Sequence, residues 1–148
     1  MSNENLLEIY RQLRLAQDKY TYFLLAAVGA AIGLAITQTQ DSALSWSQIP
    51  LAAAVLCWGL SFIFGCLHLL YTSNALYTNA EQMKVERGLH PMVGNHPQKM
   101  VAASEGLSKA FEKSSTRANR NSQWQFRFLV TGAIFYIAWH IFEMWLRT

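Results

Sequence analysis

Apolar positions in this chain gather into three long blocks separated by polar stretches. A soluble bundle of the same size would spread them over amphipathic faces. The first block, Tyr20 to Ile36, reads YTYFLLAAVGAAIGLAI and carries no charge. At 1.5 Å per residue it covers about 26 Å, close to the ~30 Å hydrocarbon core of a bilayer. Tyr20 and Tyr22 suit the headgroup level at its start. The second block, Pro50 to Leu70, opens on a proline that fits a first helical turn. The third runs from Phe128 to Leu146, with Trp124 before it, Trp139 and Trp145 toward its end, and Arg127 and Arg147 bracketing it. Both arginines can snorkel to an interface. A two-span reading would make the third block a soluble core helix. Its length and its tryptophans suit a bilayer better.

The polar stretches also carry helical pattern. Residues 3–19 place Leu6, Tyr10, Leu13 and Tyr20 on one stripe, predicting a helix that runs straight into the first span. Ser2 or Asn3 can cap it, and Glu4 and Glu8 favour its dipole. The stripe is narrow and the polar face carries both signs, which favours packing on neighbouring cytoplasmic helices over lying on the membrane surface. After Leu70 nothing breaks the second helix until Gly88, with Lys84 and Arg87 in the last turn. The stretch GLHPMVGNHP, residues 88–97, is a Gly- and Pro-rich turn. From Gln98 a second helical pattern, through Met100, Leu107 and Phe111, leads toward the third span. The expected class is all-α: a helical membrane protein with three transmembrane helices (about 20–36, 50–70 and 128–146) and a cytoplasmic helical hairpin over 71–125.

Charge orients this layout. The chain has 52% hydrophobic and 14% charged residues, a net charge of +3, and 12 Lys and Arg. Of these, Arg11, Arg14 and Lys19 precede the first span. None lies between the first and second, where the only charge is Asp41. Eight lie between the second and third, counting Arg127, and Arg147 alone follows. The positive-inside rule then puts the N-terminus and the 71–127 loop in the cytoplasm and the C-terminus outside. The first apolar block starts behind a polar segment and lacks a small-residue cleavage site leading into a soluble domain, so it reads as a retained span. Cys57 and Cys66 sit on opposite faces of one helix and read as small buried apolar residues, not a disulfide.

Candidate chemistry is sparse. Tyr136, His140 and Glu143 share one face of the third helix. Ionisable groups inside a span usually face a bundle interior or an aqueous path. The competing reading makes them interfacial anchors beside Trp139 and Trp145. His68 lies too far along the membrane normal from His140 to pair with it in one subunit. Gly29 and Gly33 form a GxxxG, and Ser61 and Gly65 a second small-xxx-small pair, both suited to close helix packing within or between copies. Lys109, Lys113, Arg117 and Arg120 make a basic stripe, continued by Arg127, whose simplest partner is anionic lipid headgroups. A nucleic-acid partner has no aromatic or motif support. His90 and His96 flank the loop tip, which suits a ligand-binding or regulatory role. A metal would need three or four ligands, and no Cys or acidic cluster lies beside them. No nucleophile elbow, phosphate loop, zinc-protease helix or carboxylate pair appears, so neither an enzyme nor a cofactor is expected.

The stretches LRLAQDKYTYFLLAAVGAAIGLAITQTQ and LCWGLSFIFGCLHL are similar to those of small bacterial inner-membrane proteins with no assigned activity. The layout of cytoplasmic helix, membrane hairpin and cytoplasmic helix resembles the SLATT-type membrane effectors of bacterial defence systems. That resemblance implies perforation of a membrane when triggered. Because three spans can hardly enclose a water path alone, the leading expectation is an oligomeric, non-enzymatic pore or channel. The alternative is a membrane adaptor whose cytoplasmic hairpin binds a soluble partner.

Overall fold

In the computed structural model the backbone is described for residues 3–39, 46–94 and 96–146, and side chains for 8–39, 46–94 and 96–145. Ser2, Asp41 and Arg147, and the side chains of Asn3, Glu4 and Leu6, lie outside the described residues. Three helices make up almost all of the described chain: α1, Asn3–Thr39; α2, Ile49–Glu86; and α3, Pro97–Leu146. A 3-10 turn, Trp46–Gln48, leads into α2. All three helices are long and apolar enough to cross a membrane. The protein is a helical membrane protein, all-α as its pattern predicts, and each span is part of a longer helix.

The ends of these helices follow from local chemistry. Gly88, at φ 68°, closes α2 in a left-handed turn. Its N–H donates to the Val85 carbonyl (3.0 Å) and that of Leu89 to the Lys84 carbonyl (2.9 Å). These are the two bonds of a Schellman cap, and they satisfy carbonyls that the helix leaves without partners. A second turn over residues 90–94 also needs a left-handed glycine, Gly94, at φ 58°. Pro97 then opens α3 where its missing N–H is harmless, and the His96 carbonyl accepts the first helical bond, from Met100 N–H (2.9 Å).

The chain divides into two compact units, Met1–Gly65 with Trp124–Thr148, and Cys66–Gln123. In the first, Val28 and Ala35 of α1, Leu51, Ala54 and Trp58 of α2 and Trp139 of α3 form the core. Large apolar side chains point outward instead: Phe23, Leu56, Ile63 and Ile134 are all more than half exposed. An apolar exterior suits a lipid solvent. In the N-terminal stripe Tyr10 is 66% and Leu13 55% exposed.

The second unit has a thin core, with Ala75, Val85 and Ala118 buried. Polar contacts supplement it. The His68 Nδ1 lies 2.8 Å from the Ala118 carbonyl, which fixes the Nδ1–H tautomer. The Arg117 guanidinium sits 5.6 Å over the Tyr71 ring.

Candidate functional site

The first unit is organised by how α3 docks antiparallel on α2. Two side chains of α2 donate to backbone carbonyls of α3: Ser61 Oγ to Gln125 (2.8 Å) and Trp58 Nε1 to Leu129 (3.3 Å). Gly132 allows the close approach. A Cβ there would lie 2.6 Å from the Trp58 ring and 3.1 Å from the Ala54 carbonyl oxygen. Farther along, the Tyr136 ring packs at a tilt against Trp58 at 5.6 Å and its hydroxyl donates to Gln38 Oε1 of α1 at 2.8 Å. These contacts fix the heights of the helices relative to one another.

The register displaces the third apolar block. Ser61 lies about 16 Å along the axis from Pro50, near the middle of the apolar run of α2. Gln125 is level with Ser61, and Arg127 is about 3 Å nearer the Pro50 end. Phe128, where the third block begins, is therefore level with the middle of the second block. Residues beyond Trp139 run on past the start of α2. Side-by-side spans over 50–70 and 128–146 would have been level.

A polar layer results at mid-height. The Gln125 side chain is fully buried, and neither its Oε1 nor its Nε2 has a hydrogen-bond partner. It lies over Gly65, where an added Cβ would come within 2.6 Å of the amide nitrogen and 2.7 Å of Leu25. Arg127 projects from the opposite side of α3 and is exposed. Its guanidinium sits 5.2 Å over the Trp124 ring. That ring stacks on Phe64 at 6.4 Å and packs against Phe128 at 5.7 Å. The aromatic stack holds the guanidinium in place. Arg127 forms no ion pair among the described residues. Gln125 lies at the end of the stretch that hydropathy assigns to the hairpin and Arg127 at the edge it assigns to the third span, so hydropathy alone does not reveal their depth.

The residues singled out by spacing are scattered. Tyr136, His140 and Glu143 do share a face, but at Tyr136 it turns into the bundle, toward Gln38 and Trp58. His140 is exposed, with its ring 6.3 Å from that of buried Trp139, and Glu143 is half-buried. Ser61 and Gly65 lie inside the bundle, whereas Gly29 and Gly33 face open space. In the second unit Lys109, Lys113, Arg117 and Arg120 are all exposed. Lys109 pairs with Glu105 at 2.7 Å. His90 Nε2 lies 3.6 Å from Glu81, and its Nδ1 accepts from the Met92 N–H. His96 is exposed at the start of α3. Glu81 also accepts from Lys84 at 2.7 Å. That hydrogen bond, with the attraction between the two charges, raises the Lys84 pKa. Among the described residues no group of three or more His, Cys, Asp or Glu could hold a metal. Comparison with protein-family models, curated proteins and solved structures finds no match.

Proposed function

We propose that this chain is a non-enzymatic membrane protein that assembles with copies of itself around an aqueous path. The observation that carries the reading is Arg127. It is a charge at the surface of the first unit, level with the middle of an apolar span, and it has no carboxylate partner among the described residues. A charge at that depth in lipid costs about 3 kcal/mol or more, so such residues face a bundle interior or water. Its side chain leans toward Trp124, away from the Pro50 end. One copy with three spans is too small to enclose water, so the path forms between copies. The path then belongs to the Arg127 face of α3 more than to Tyr136, His140 and Glu143.

In this reading the N-terminus and the turn over residues 88–97 lie in the cytoplasm of a bacterial cell, at the inner membrane, with the C-terminus outside. The basic stripe from Lys109 to Arg120 meets lipid headgroups. The 88–97 tip, with His90 and His96, receives the trigger. Purified protein in liposomes tests the proposal. It should release small ions, and absence of leakage at every voltage and pH, with and without cell extract, sinks the pore.

A membrane adaptor is the second reading. It is favoured by exposed apolar side chains near the tip of the second unit: Leu89 at 70%, Met92 at 87% and Val101 at 68% exposure. A soluble partner captured by the full chain, and lost when residues 88–97 become Gly and Ser, would support it.

A further inference from the structure

We infer that the path conducts small inorganic anions and that Arg127 is the residue selecting them, an inference resting on the pore reading above. Consider the charges of the first unit over the heights bounded by Gln38 and Leu25 of α1. Neither α1 over 25–39 nor α2 over 50–65 carries one, and residues 124–136 of α3 carry only Arg127. The acidic side chains described in this unit are Glu8, Asp18 and Glu143, all outside those heights. The field at mid-height is therefore positive and uncompensated within a copy. In a low-dielectric wall such a charge attracts anions and repels cations strongly.

Geometry adds to charge. The core face of α3 carries Gln125, Leu129, Gly132, Tyr136 and Trp139, and Arg127 points to the opposite side. Thr131 and Ile134 follow it on that side and are exposed, so one hydroxyl and otherwise apolar groups continue the face. The Trp124 stack leaves the guanidinium edge, with its N–H donors, free to meet a passing anion. Repetition by symmetry turns one arginine per copy into a ring, the arrangement that selects anions in pores.

The test is reversal potential in planar bilayers holding the full-length protein under a potassium chloride gradient. Chloride should permeate over potassium by on the order of tenfold. Arg127→Lys should keep that preference, Arg127→Gln should bring the ratio near one, and Arg127→Glu should invert it. Thr131→Glu, one turn along the same face, should weaken the preference with Arg127 intact, so the idea stays testable if the Arg127 variants do not fold. Currents that favour potassium in the unaltered protein, or a ratio unmoved by both Arg127→Gln and Thr131→Glu, overturn the assignment of selectivity alone. Absence of any current in the unaltered protein, with and without cell extract, overturns the pore reading and takes this inference with it.

Discussion

A single amide shows how differently polar residues are treated in this bundle. Gln125 buries both its carbonyl oxygen and its NH₂ without a partner, while Ser61 beside it donates to a backbone carbonyl. An unsatisfied buried polar group costs about 1–3 kcal/mol. Leucine has similar bulk and no such penalty. Gln125→Leu should therefore raise the stability of the protein in detergent by about 1–3 kcal/mol, read as a shifted unfolding midpoint in a denaturant titration. The Gln125 backbone carbonyl still receives Ser61, so the register should survive. A lowered midpoint would mean that the amide is satisfied in the assembled protein.

Between helices, close approach matters more than hydrogen bonding. Losing the Ser61 hydroxyl removes one interhelical bond, worth about 0.6 kcal/mol on average in membrane proteins. The Gln125 carbonyl remains satisfied within α3. Gly132→Ala is a different case. Its Cβ would meet the Trp58 ring at 2.6 Å, and that ring is held by the Leu129 carbonyl. Overpacking of this kind costs about 1–3 kcal/mol. Thermal unfolding should thus show Ser61→Ala near wild type and Gly132→Ala clearly destabilised; the reverse order would refute the docking described. The same contrast explains what was legible in the sequence. Helix type, the run of α2 to its Gly88 cap and the turn before Pro97 follow from periodicity and local chemistry. Register between helices does not, because hydropathy scores each segment alone. Gly29 and Gly33 repeat like Ser61 and Gly65, yet only the second pair meets α3, through Gln125. Periodicity put Tyr136, His140 and Glu143 on one face, but the Gln38 and Trp58 contacts decide that at Tyr136 it turns inward. Gln125 escapes notice, and Arg127 is placed at the membrane edge, because the polar residues before them resemble a loop.

For the assembled molecule, the proposed path requires copies to meet, and α1 offers a surface on which this can be tested cleanly. Gly29 and Gly33 have nothing within 4 Å of an added Cβ. A side chain placed there leaves the packing of one copy intact. Glycine inside a helix is also unfavourable by roughly 0.5–1 kcal/mol relative to alanine, so replacing it should hold or raise the stability of the single copy. A contact between copies responds with the opposite sign. Helices that approach through small-xxx-small faces lose that approach when a branched side chain intervenes. Gly33→Leu should therefore leave the unfolding midpoint unchanged or higher while lowering the mass of the complex in nanodiscs, and ion flux should fall with the mass. Loss of both mass and midpoint would mean that copies stabilise each other through this face and fold together. An unchanged mass would remove α1 from the contact and leave the assembly to the outward faces of α2 and α3, where Leu56, Ile63 and Ile134 are exposed.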